Sequence, residues 1–219
     1  MIDLYAITDH PGPALPDATP LRLVARGSLA GVCGAAGAEE AVTPEGLWRH
    51  ERIVEDLMQN RDVLPVRYGT RFPDESAAGR VLEERGEQFA AALDRVRGAV
   101  ELAVRVISGP GVPPPADDEA TAVGAGEVGA GTAYLRARQR EKAASSEAAN
   151  VVHQPLSAVA RDHVTGPGTL PGELLRAAYL VSADAVATFT ATVGRLQVEH
   201  RGLLITCTGP WPAYSFAQR

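Results

Sequence analysis

The sequence predicts an α+β protein built as two small domains, residues 1–98 and 99–219, and three observations carry that expectation. Strand-like and helix-like patterns alternate in both halves, which favours mixed layers over an all-helical or all-strand fold. The strands of either half are too few for one doubly wound sheet running through the whole chain. The length, 219 residues, lies between one large domain and two small ones, since a domain commonly takes ~100–200 residues.

The elements of the first half follow in order. Residues 2–8 alternate Ile2, Leu4 and Ala6 with Asp3, Tyr5 and Ile7 before the breaker run 10–20, the pattern of a strand. Runs 21–26 and 29–34 flank Gly27-Ser28, a two-residue link of the kind that closes a hairpin with glycine first. Thr43 and Pro44 supply an N-cap and a proline at the first helical position, and Leu47, Val54, Leu57 and Met58 then share a face, predicting a helix over 44–60. Residues 63–69 return to β-type side chains, but Pro65 has no N–H for a ladder, so that strand is short, bulged or at an edge. Asp74 caps a second helix, expected to run to about Gly98, in which Leu82, Phe89 and Val96 repeat at seven.

In the second half, residues 100–107 alternate Val100, Leu102, Val104 and Val106 with polar or small residues, a half-buried strand. Residues 108–130, rich in proline and glycine and carrying Asp117, Asp118 and Glu119, read as a loop. The alanine-rich stretch 131–160 favours a long helix that Pro155 should kink or interrupt. A strand over 173–181 follows, then a helix capped by Ser182 with Val186, Phe189, Val193 and Leu196 on one stripe, and a closing strand over 202–208. That order suits a ferredoxin-like sandwich, although its remaining strand is not evident between the long helix and Glu173.

Composition narrows the class. With 45% apolar and 22% charged residues the chain is an ordinary globular one, long enough to hold a core without a metal or disulfide staple. A net charge of −6 disfavours general nucleic-acid binding, which needs a basic face. No run of ~18 apolar residues exists to span a membrane, and the N-terminus lacks a signal-peptide pattern, so a cytoplasmic protein is expected. Cys33 and Cys207 stand far apart, outside any metal or redox spacing, and read as small reduced hydrophobes.

Few motifs invite chemistry. Gly124, Gly126 and Gly129 fit G-x-G-x-x-G, but no buried strand delivers them to a helix, so no dinucleotide cofactor is expected. His50-Glu51 opens like the zincin motif, yet Val54 stands where the second histidine belongs, so the pair reads as polar residues on a helix and no metal is expected. His10, His153, His163 and His200 match no nucleophile signature. Arg136, Arg138, Arg140 and Lys142 spread around a helix as a solvated surface. The tail 209–216 gathers Trp211, Tyr214 and Phe216 on a backbone stiffened by Pro210 and Pro212; such a segment either closes the core or offers anchors to a partner. Trp211 is expected to join the core and Phe216, nearer the free end, to face a partner. The Arg67 fork is expected to satisfy loop carbonyls or a carboxylate such as Glu51.

The stretch WRHERIVEDLMQNRDVLPVRYGTRF (48–72) and the C-terminal TGPWPAYSF (208–216) resemble the gas vesicle protein family GvpF/GvpL. The segments GTAYLRAR (131–138) and AYLV (178–181) add to the likeness, which extends over essentially the whole chain, with Tyr68 and Arg71 standing where Phe and Val are common in the family. The resemblance implies a non-enzymatic accessory protein of gas vesicle formation with two α+β domains, the C-terminal one a modified ferredoxin-like fold. It also implies binding to the small hydrophobic shell protein GvpA and to other accessory proteins. His50, Glu51, Arg67, Trp211, Tyr214 and Phe216 are the candidate partner-binding or domain-junction residues. The competing class is an enzyme or small-molecule sensor whose site assembles only in space.

Overall fold

The computed structural model describes residues 1–15, 20–37, 43–109 and 146–217. The expected loop 108–130, apart from its first two residues, the glycine motif, the Arg/Lys run and the segment 131–138 lie outside the described residues. The chain divides into two compact units, Met1–Glu101 with Gly209–Arg219, and Leu102–Thr208. The C-terminal tail thus returns to the first unit, whereas the linear order of elements places it with the second.

In the first unit the strands β1 (Ile2–Asp9), β2 (Arg22–Arg26), β3 (Leu29–Ala35), β4 (Leu64–Pro65) and β5 (Arg71–Phe72) form one sheet in the order β2-β3-β1-β4, with β5 also on β1. The β2–β3 hairpin closes as the Gly27-Ser28 link predicts, Arg26 facing Leu29 and Gly27 taking φ 58°, a left-handed conformation open to glycine at little cost. Strand β1 is central. Its residues 4–8 are all buried and a register shift falls between Leu4 and Ala6, so the simple alternation of the sequence does not describe its surroundings. Helix α1 (Pro44–Met58) packs on one face, where Ile53, Val54 and Leu57 meet Tyr5 and Val32. On the other face Leu4 and Leu82 converge over Gly31; a Cβ there would stand 2.9 Å from Leu4 Cδ1 and 3.2 Å from Leu82 Cδ1.

Two helical expectations need correction. The buried stripe of α1 is His50, Ile53, Val54 and Leu57, while Leu47 is exposed, so the apolar face is rotated to include a histidine. The second helix is two, α2 (Glu75–Glu84) and α3 (Gly86–Val96), broken at Arg85 with φ −114° and ψ 19°. Gly86 follows the break and weakens helix continuation, a local cost that the seven-residue repeat conceals.

In the second unit the order is β6 (Ala99–Ser108), α4 (described over 146–159), β7 (Asp162–Gly166), β8 (Glu173–Ser182), α5 (Val186–Glu199) and β9 (Leu203–Trp211), the sheet running β7-β8-β6-β9; the first residues of β6 and the last of β9 count with the first unit. This is the β-α-β-β-α-β element order of a ferredoxin-like unit. Strand β7 is the one the sequence does not announce: DHVTG lies half-exposed, paired only with β8, so it carries no alternating apolar signal. Leu102, Val104 and Val106 of β6 meet Val152 and Leu156 of α4 and Phe189, Val193 and Leu196 of α5 in one core. The helix continues through Pro155 over its described residues. Ser182 caps nothing: its Oγ accepts from Arg161 Nε at 2.6 Å, a 3₁₀ turn (Ala183–Ala185) intervenes, and α5 begins after it. Strand β9 runs on through Pro210 to Trp211, and Pro210 is tolerated because β9 is an edge strand.

Candidate functional site

The six candidate partner-binding or domain-junction residues all lie in the first unit, but they do not form one cluster. Helix α1 presents His50 inward, 2% exposed, and its Nε2–H donates to the Val66 carbonyl at 2.7 Å. A carbonyl can only accept, so this contact fixes the tautomer. The ring lies 5.1 Å from that of Tyr5 and, edge-on, 5.6 Å from that of Tyr68. Burial pushes the His50 pKa down, which keeps the imidazole neutral. Val66 N–H in turn donates to Tyr5 O at 3.0 Å, so both backbone groups of Val66 are tied and the residues after β4 are held to α1 and β1.

Beyond Val66 the chain turns sharply. Thr70 N–H and Oγ1 both donate to Arg67 O, at 3.2 and 2.8 Å, and Gly69 takes φ 84° at the position where such a turn needs glycine. Tyr68 folds back over the first turn of α1, its hydroxyl occupying the space that a Cβ at Gly46 would need. Arg71 Nε donates to Asp3 Oδ1 at 2.9 Å and fixes the far side. Arg67 departs from expectation: its side chain is exposed and makes no hydrogen bond or ion pair among the described residues, neither with loop carbonyls nor with Glu51.

Glu51 faces the C-terminal tail instead. Burial pushes its carboxyl up, and the phenol of Tyr214 close by acts in the opposite sense. The Tyr214 hydroxyl is buried without a hydrogen bond of good geometry, and burial followed by the Glu51 charge raises its pKa. Next to it, Ser215 donates its N–H and its Oγ–H to the Glu101 carboxylate at 2.9 and 2.8 Å, which ties the tail to the start of β6. Phe216 is fully buried and Trp211 is 42% exposed, so Phe216 and not Trp211 is the aromatic of the tail that joins the core. Trp48, at the head of the first motif, is 73% exposed and contributes little to the core.

Sequence reasoning missed two features. A groove of about 450 Å³ opens between the short strands β4 and β5, the turn 66–70 and helices α2 and α3, with Ala217 of the tail at its edge. Its sequence signals were Pro65 and Gly86, the residues that shorten β4 and break the helix. In the second unit His153 Nδ1 lies 2.7 Å from the Tyr179 hydroxyl, with the His163 ring 4.6 Å from that of His153, a pairing that only the unannounced strand β7 brings about. Burial, then the neighbouring His163, pushes the His153 pKa down. Cys33 is buried and its thiol is pushed up to about 12, as befits a core hydrophobe. Among the described residues no three His, Cys, Asp or Glu side chains gather as a metal would require, and no helix is long and apolar enough to cross a membrane.

Fold and motifs together define a class, the gas vesicle proteins: the chain matches the family of gas vesicle synthesis protein GvpL/GvpF over residues 3–218 and belongs to it. Within that family it is 30% identical to gas vesicle protein L of Streptomyces sp. (strain CB03234), over 98% of this chain and 91% of that protein. It is 26% identical to gas vesicle protein F of the same strain, over 98% of both chains. The crystal structure of GvpF from Anabaena sp. PCC7120 superposes with a TM-score of 0.79, covering 100% of this chain and 98% of that one. At 15% identity that likeness speaks for the fold alone.

Proposed function

We propose that this chain is a cytoplasmic, non-catalytic accessory protein of gas vesicle formation that binds the shell protein GvpA and other accessory proteins. The observation that carries the reading is the family match over nearly the whole chain, residues 3–218. The site geometry is consistent with it. His50, the one histidine inside the leading motif, is used to hold a turn, its buried ring donating to a backbone carbonyl. Glu101 and Ser215 likewise hold backbone, here the tail. These residues hold the turn and the tail in place through backbone contacts, and a binding surface needs such support.

Affinity capture tests the reading. The tagged full-length chain, co-expressed with GvpA, should retain GvpA through washing, and a tagged unrelated protein should not. Failure to retain GvpA by a chain that folds with a normal thermal midpoint would overturn the GvpA assignment.

A further inference from the structure

The groove on the first unit has a composition unlike the rest of this acidic chain. Its floor is apolar, made by Leu4, Ile7, Pro65, Phe72 and Phe89, and its polar lining includes Arg67 and Arg85 but no Asp or Glu. In a protein of net charge −6, an acid-free concavity bearing two guanidinium groups is a local positive region above an apolar floor. Both arginines are exposed. Arg85 is held in place, its Nε donating to Gln88 Oε1 at 2.9 Å and its guanidinium carbon 4.8 Å above the Phe89 ring. Its Nη groups, like the whole Arg67 fork, make no hydrogen bond to the described residues. Guanidinium groups present planar donors that match a carboxylate.

Three features of the backbone keep the groove open. Pro65 cannot donate along the edge beyond β4, β4 and β5 hold only two residues each, and the break at Arg85 turns α3 away from the line of α2. The turn that carries Arg67 is fixed by His50, Tyr68 and Gly69 as described above, so its guanidinium projects from a rigid mount.

We propose that this groove is the docking site for an apolar segment of a partner protein that carries a carboxylate, its apolar side chains on the Phe72–Phe89 floor and its carboxylate between Arg67 and Arg85. The proposal rests on the reading of the chain as a GvpA-binding protein and takes the shell protein as the source of that segment.

The test is capture of GvpA by the full-length chain and three variants. Arg67→Glu/Arg85→Glu reverses the rim charge at exposed positions. Gln88→Trp fills the mouth of the groove from another exposed position. Arg176→Glu/Arg201→Glu makes the same change in net charge on exposed residues of the second unit. The expected result is at least a tenfold loss of GvpA capture for the first two, capture within twofold of wild type for the third, and thermal midpoints within a few degrees throughout. If the rim reversal and Gln88→Trp both capture GvpA within twofold of wild type, the groove is not the site and the GvpA reading stands. If the wild-type chain captures no GvpA, the reading falls and this proposal falls with it.

Discussion

Replacing Phe216 by alanine should destabilise the first unit more than any other change in the tail. Its side chain is fully buried, and removing a buried phenylalanine costs ~3–5 kcal/mol. Domains are stable by only ~5–15 kcal/mol, so a large fraction of the total is at stake. For a chain of this size each kcal/mol moves the midpoint by ~2–4 °C, which sets the expected fall at about 6–20 °C. Trp211→Ala should fall less, because two fifths of the Trp211 surface already lies in water and was never part of the transfer gain. The assay is a thermal melt followed by circular dichroism, with urea denaturation at fixed temperature to check that the slope is unchanged. A Phe216→Ala midpoint within 3 °C of wild type, or a larger fall for Trp211→Ala, would refute the reasoning.

Three further perturbations follow from the same geometry. Glu101→Ala removes the charged acceptor of the Ser215 N–H and hydroxyl; Ser215 is exposed, so water replaces part of what is lost, and the change should cost ~0.5–1.5 kcal/mol in urea denaturation; no measurable loss would mean that the tail is held by Phe216 alone. Gly79→Ala should be neutral or stabilising by up to ~1 kcal/mol, since the atoms nearest the new Cβ are the guanidinium of Arg26, the far end of a flexible side chain, whereas Gly31→Ala pushes on buried Leu4 and Leu82 and should cost ~1–3 kcal/mol; equal effects would contradict the packing described. His50 and His153 have pKa values below the unfolded value of about 6.5, so the stability they contribute is present above that pH and lost as pH falls through their folded values, while the raised carboxyls of Glu51 and Glu101 act in the opposite direction, losing stability as pH rises above about 4.5. The histidine contribution is isolated by comparison: on acidification from pH 7 to about 5.5 the wild type should lose stability relative to His153→Gln, and parallel profiles for the two would refute the assignment.

How much of this was legible depends on whether a feature is local. The hairpin at Gly27-Ser28 and the start of α1 at Thr43-Pro44 could be read directly, because a turn residue and a cap act on their immediate neighbours. The cap is realised as written, Thr43 Oγ1 accepting from Gly46 N–H at 3.1 Å. Strand β7 could not be read, because a mostly polar edge strand takes its conformation from the partner it pairs with and not from its own side chains. The return of the tail to the first unit was also hidden: it depends on Glu101 meeting Ser215, 114 residues away, and no spacing rule links them.

The same distinction accounts for the candidate site. His50 looked like half of a metal motif because motif reading scores residue types at fixed offsets, and the offset to Val54 was the wrong test. The partner that matters for His50 is the Val66 carbonyl, 16 residues on, a backbone atom that has no letter in the sequence. Once that bond is made, the turn 66–70 has one path: Tyr68 lies against Gly46, Gly69 takes the left-handed conformation, and Arg67 is left pointing out. A lysine or an alanine at position 67 would leave that path intact, since the turn is held through the Arg67 carbonyl and not through its side chain. The guanidinium is therefore separable from folding, which is what the proposed docking role requires of it.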